Sequence, residues 1–104
     1  MTNAPYVPVV LVTGAARRVG AEIARSLHAA GASVAIHYRL SAAEAQALAT
    51  ALNQVRQDSA AAFAADLLDM AALPQLVESV VARFGRLDAL VNNASSFFAT
   101  KVGA

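Results

Sequence analysis

Short unbroken apolar runs and longer stretches with apolar residues at every third or fourth position take turns along the chain. The first run, Pro8-Val9-Val10-Leu11-Val12-Thr13, is largely β-branched and closes at Gly14, which predicts a strand buried on both faces of a parallel sheet. After it, Val19, Ile23, Leu27 and Ala30 recur at helical spacing until Gly31 supplies a left-handed stop. Ser33 to Tyr38 makes a second strand. In "SAAE", Ser41 is placed to cap a helix while Glu44 reaches back to the cap N–H, and the helix is expected to run to about Gln57, burying Leu48, Leu52 and Val55. Residues 60 to 65 are assigned to a third strand from their place in the alternation, because alanine carries little β propensity. Asp69 is expected to start a third helix with Leu73, Val77, Val80, Val81 and Phe84 facing inward, Pro74 within its first turn, and Gly85 at its end. Leu87 to Val91 completes the pattern as a fourth strand suited to burial between neighbours.

This alternation predicts an α/β fold: a Rossmann-type, doubly wound parallel sheet in three α/β/α layers, with strand order 3-2-1-4 set by right-handed crossovers. At 104 residues and 58% hydrophobic content the chain holds one compact core. A net charge of +1 without a basic block gives no footprint for nucleic acid. There is no cysteine, so a thiolate metal site is ruled out and redox chemistry would need a borrowed cofactor. No metal is expected. The apolar run from Val7 to Val12 is too short for a membrane span, so we expect a cytoplasmic protein with no membrane partner.

Gly14 ends the first strand where a helix begins, so the free N–H groups and positive dipole end of that helix face whatever sits above the turn. The string "VTGAARRVG" is not a P-loop. It is not G-x-G-x-x-G either, since five residues separate Gly14 from Gly20. An anion site and a plain tight turn, with Gly20 easing helix packing, both remain open on these residues alone. At the end of the second strand stands "HYRLS", with Arg39 and Ser41 but no carboxylate until Glu44. A ribose 2′-hydroxyl calls for an acid here and a 2′-phosphate for cations, so the tip favours NADP over NAD; a solvated loop arginine is the alternative for Arg39.

The motifs "TGAARRVG", "HYRLSAAEA", "AADL" and "VNNASSF", in this order and spacing, resemble the short-chain dehydrogenase/reductase family, and within it the pteridine reductase branch. Arg18 in place of the usual glycine and "NNAS" in place of "NNAG" are both shared with that branch. The resemblance implies NADPH as cofactor and a pterin of the dihydrobiopterin or dihydrofolate kind as substrate. Gly14, Arg18, Gly20, His37, Tyr38, Arg39, Ser41, Asp66, Leu67, Asn93, Ala94 and Ser95 would then lie along the cofactor. Asp66 would bond the adenine amino group and Asn93 would sit beside the nicotinamide ribose. Arg18 would add a cation over the pyrophosphate and toward the substrate, on a backbone kept at negative φ. Ser95 would touch cofactor and pterin, and Phe97 would stack on the pterin, although core packing is the alternative for Phe97 and Phe98. His28 and His37 read as structural or surface residues rather than catalytic ones.

The family's catalytic Tyr-x-x-x-Lys pair has no counterpart in this segment: Tyr6 and Tyr38 lie too early, and Lys101 follows neither at that spacing. We therefore expect residues 1–104 to be the amino-terminal, cofactor-binding half of one Rossmann-fold domain, partnered by the remainder of the same protein. By resemblance the whole would be a homotetramer. Two other readings stand beside this one: a short-chain reductase of another carbonyl substrate, and a non-catalytic NADP-binding module.

Overall fold

The computed structural model describes residues 7–93. Four strands and three helices alternate: β1 (Val9–Val12), α1 (Arg18–Ala29), β2 (Ser33–Tyr38), α2 (Ala42–Val55), β3 (Ala60–Ala64), α3 (Ala72–Phe84) and β4 (Ala89–Val91). The strands form one parallel sheet in the order β3-β2-β1-β4, as the alternation predicts. β1 is central because it pairs on both sides, Leu11 lying between Ala35 of β2 and Leu90 of β4.

Alternate residues of β1 and β2 supply two separate cores. Val10, Val12, Val34 and Ile36 pack with Ala21 and Ala24 of α1 and Leu48 and Leu52 of α2. Val9, Leu11 and Ala35 pack on the other face with Leu76 and Val80 of α3. Helices thus cover both faces, the three-layer arrangement that explains why β1 carries no polar alternation. Each fully buried Leu, Ile or Val contributes roughly 1.5–3 kcal/mol, so the central strands dominate the stability.

The edges depart from the sequence expectations. Val19 (64% exposed) and Val55 (76%) face away from the core, because small residues, Gly20, Ala21 and Ala24, carry the buried stripe of α1 and because α2 stops at Val55 before Gln57. Val81 is also exposed on α3. That helix starts at Ala72 rather than Asp69, whose carboxylate accepts the Ala71 N–H at 3.0 Å in a turn of its own. Pro74 therefore falls in the first turn, and Gly85 (φ 86) closes the helix. Ser41 stands at the start of α2 but makes no side-chain cap bond; Glu44 turns instead to Arg17, 4.0 Å away. Among the described residues β4 pairs with β1 alone, and Leu90 stands 41% exposed at this open sheet edge.

At the amino ends of the strands a polar network joins α1, α2 and β3. Arg56 donates to the His28 and Ala32 carbonyls at 3.2 and 2.7 Å, and the Asn53 carboxamide bonds Ser59 N, Ala60 N and Ala60 O, each at 2.9 Å. The Ser59 hydroxyl donates to the Arg56 carbonyl, which leaves His28 Nε2 to donate to Ser59 Oγ at 2.6 Å. Burial, and then the nearby Arg56 charge, push the His28 pKa down, so the ring is held neutral.

Candidate functional site

The carboxyl ends of β1, β2, β3 and β4 converge on the turn between β1 and α1, the position where open parallel sheets bind their ligands. Gly14 has φ 62, a conformation that disfavours a side chain, and both its backbone groups are held by side chains from other strand ends. Its N–H donates to His37 Nδ1 at 2.9 Å, and its carbonyl accepts from Asn93 Nδ2 at 3.2 Å. Thr13, 1% exposed, accepts from Asn93 N at 2.8 Å and donates to Asn92 Oδ1 at 3.1 Å, fixing the turn to the end of β4. Helix α1 presses directly on this turn. A Cβ added at Gly20 would stand 2.1 Å from the Gly14 carbonyl oxygen and 2.7 Å from Asn93 Nδ2, so only glycine permits the approach.

The first backbone bond at the head of α1 runs from Ala21 N to Arg17 O at 3.3 Å, leaving the N–H groups ahead of it without an intrahelical carbonyl. They and the helix dipole make an anion cradle. Arg17 is extended (φ −143), and Arg18 then takes φ 57. This corrects the expectation of a negative φ: the turn keeps the left-handed conformation that glycine would adopt, and Arg18 occupies it at a cost of about 1–2 kcal/mol. The Arg18 side chain is exposed and lines a groove of about 880 Å³ along α1 with Val19, Glu22, Ile23 and Leu27.

His37 is 3% exposed. Besides accepting from Gly14, it donates from Nε2 to the Ala65 carbonyl at 2.8 Å, which fixes the Nε2–H tautomer. Burial pushes its pKa down against an opposing pull from the Ala65 carbonyl, so the ring is neutral. Both ring nitrogens are engaged within the protein, and His37 serves the site by holding the turn.

Beside the turn lies a cleft of about 260 Å³ lined by Gly14, Arg17, Tyr38, Arg39 and Ser41. The ring of Tyr38 packs partly into the α1/α2 core. Arg39 lies 3.6 Å from Asp66, whose carboxylate also accepts the Leu68 N–H at 3.1 Å. The sequence reading passed over Arg17, Thr13 and Asn92. The Arg-Arg doublet signalled the first, and a polar residue closing a wholly apolar strand signalled the second. Leu67 is buried in the α3-side core, so its side chain supports the β3 exit from beneath. Ala94, Ser95, Phe97, Phe98, Tyr6 and Lys101 lie outside the described residues. Among the described residues, no group of three or more His, Asp or Glu could hold a metal, and no helix is long and apolar enough to cross a membrane.

The donor set suits a dinucleotide: a helix N-terminus against a glycine turn for the diphosphate, and two guanidinium groups with a hydroxyl at the β2 tip for a further anion. The family model for short chain dehydrogenases matches residues 8–103. The chain belongs to the short-chain dehydrogenase family. Pteridine reductase 1 of Leishmania tarentolae is 44% identical over 96% of this chain and 40% of the relative. Hydroxynaphthalene reductase arp2 of Aspergillus fumigatus is 44% identical over 83% of this chain and 31% of its own. The 3-oxoacyl-[acyl-carrier-protein] reductase FabG of Staphylococcus aureus is 39% identical over 81% and 34%. The chain therefore spans two fifths or less of the length of these relatives.

Proposed function

We propose that this chain is the cofactor-binding part of an NADPH-dependent pteridine reductase. The observation that carries the cofactor choice is the β2 tip, where Arg39, Ser41 and, across the cleft, Arg17 surround one small pocket. Arg17 and Arg39 are paired with Glu44 and Asp66, but these pairs are half exposed and such pairs are worth only about 0–1 kcal/mol. A 2′-phosphate, with close to two charges and three acceptor oxygens, outcompetes them.

Bound dihydronicotinamide would supply the hydride. The described residues bind and orient: Gly14, Gly20 and the first turn of α1 receive the diphosphate, Thr13 and Asn93 fix the turn at the nicotinamide end, and Asp66 offers its carboxylate to the adenine edge. Support for a pterin comes from Arg18, from "NNAS" and from the 44% identity to a pteridine reductase. Arg18 would contact the cofactor phosphates and the substrate's polar edge, while Ser95 would touch cofactor and pterin and Phe97 would stack on the pterin.

In the full chain, replacing Arg39 by alanine is expected to weaken NADPH by about 1.5–3 kcal/mol while leaving NADH nearly unchanged, read by titration of each cofactor. Equal losses would return Arg39 to general structure. A reductase of another carbonyl substrate is the second reading, favoured by the hydroxynaphthalene and 3-oxoacyl reductases among the relatives. Reduction of simple ketones with no turnover of dihydrobiopterin or dihydrofolate would decide for it.

A further inference from the structure

Among the described residues, the imidazole of His37 is the one side chain hydrogen-bonded both to the glycine turn and to the exit of β3. Gly14 N–H enters its Nδ1 at 2.9 Å, and its Nε2–H leaves to the Ala65 carbonyl at 2.8 Å, one residue before Asp66. The two backbone segments so joined are the ones that would receive the two ends of an adenosine diphosphate. We propose that His37 is a positioning residue for cofactor binding: its neutral ring clamps the Gly14 turn against the β3 exit, and protonation at Nδ1 releases the turn and weakens the cofactor's hold. This rests on the NADPH reading above.

The geometry makes the two ring nitrogens unequal. Nδ1 has one lone pair, and the Gly14 N–H occupies it; a proton there would set two hydrogens head to head between nitrogens 2.9 Å apart. The Nε2 bond to Ala65 survives protonation. Acid therefore opens only the turn side. The charged groups on the surrounding elements are Arg17 and Arg18 after β1, Arg39 on the β2 tip, Asp66 and Asp69 after β3, Glu78 and Arg83 on α3, and Asp88 ahead of β4. The ring bonds to backbone groups, Gly14 and Ala65, so burial sets its charge state and holds the pKa below the ordinary 6.5. The sign follows: the neutral ring's contribution is complete above that ordinary value and is lost as pH falls through the lowered folded value. A bound diphosphate pulls the opposite way, since an imidazolium would attract it. The clamp and the charge thus make opposite predictions for binding in acid.

The test uses the full chain, NADPH titrations from about pH 8 to pH 5, and two variants. His37→Asn keeps an acceptor at the δ position for Gly14 but cannot titrate; His37→Gln keeps a donor at the ε position for Ala65 and carries no acceptor at the δ position. The wild type is expected to lose affinity in acid more steeply than His37→Asn, the difference approaching tenfold per pH unit, which is the slope of one proton. At about pH 8, His37→Asn is expected to stay close to wild type, and His37→Gln to bind about tenfold more weakly. The same acidification followed by nitrogen NMR of the wild-type ring should show Nδ1 unprotonated at the start and the Gly14 amide shifting with the same midpoint, before global unfolding. This readout holds if either variant fails to fold. Parallel pH profiles for wild type and His37→Asn, tighter binding in acid, or a Gly14 amide that ignores the ring's titration would overturn the clamp. Failure of the wild type to bind NADPH at any pH overturns the functional reading instead, and the NMR arm still decides whether the ring holds the turn.

Discussion

Each end of the parallel sheet carries one buried, neutral histidine, and the two are used differently. At the amino end, His28 bonds a serine hydroxyl inside a network whose other members, Asn53, Arg56 and Ser59, bond backbone groups of α1, α2 and β3. At the carboxyl end, His37 bonds a backbone N–H in a turn that also carries an exposed arginine at positive φ, beside a cleft flanked by Arg17 of the turn and Arg39 of the β2 tip. The first end is closed on itself and is a fastening. The second is closed only from below, with its remaining donors turned outward. Satisfied buried polar groups hold the fold at one end, and exposed donors mark the end where binding is expected; a non-glycine residue at positive φ occurs at both, Asp58 (φ 58) at the first and Arg18 (φ 57) at the second.

The largest expected effect tests how tightly the carboxyl end is assembled. Gly20→Ala places a methyl group 2.1 Å from the Gly14 oxygen, an impossible contact with backbone, so α1 must move off the turn. We expect a loss of about 3 kcal/mol or more, at the upper end of overpacking costs, together with loss of NADPH binding; denaturant melts and cofactor titration would show both. Wild-type affinity in this variant would mean the turn does not need its contact with α1.

Asn53→Ala addresses the other end. It strips partners from Ser59 N, Ala60 N and Ala60 O, and we expect about 2–3 kcal/mol lower stability with the NADPH/NADH preference unchanged in the folded fraction. A changed preference would break the division of labour between the two ends.

The smallest effect sharpens the comparison most. Arg18→Gly relieves the left-handed backbone and is expected to raise stability by about 1 kcal/mol while reducing pterin turnover. Stability and activity moving in opposite directions at one residue is the signature of strain retained for function. If stability falls, Arg18 serves the fold instead.

The frame was legible because its signals are local. A largely β-branched run marked β1, a short apolar stretch marked β2, and glycines after helical periods marked the ends of α1 and α3. Even the alanine-rich segment of β3 sufficed once the alternation was counted. The losses come from competition between partners, some near and some distant in sequence. Glu44 leaves the Ser41 cap for Arg17, 27 positions earlier in the numbering, and Val19 yields the core to smaller neighbours that let α1 sit closer. The site residues were named from motif and resemblance, yet the function of His37 as a clasp depends on a bond to Ala65, 28 residues on. Asn53 and Ser59 carry no motif, and only the packing of α2 against β3 makes them a network.

The bonds that shape the Gly14 turn also set the order in which it can come into being. His37 lies 23 residues further along the chain and Asn93 lies 79 further. A ribosome delivering residues from the amino terminus exposes the glycine turn first, but the last of these anchors emerges only after α3 and β4 have been made. A nascent chain that has released β1, α1 and β2 therefore has most of one core and no finished anion cradle. The cradle is therefore completed only once Asn93, 79 residues beyond the turn it anchors, has been made.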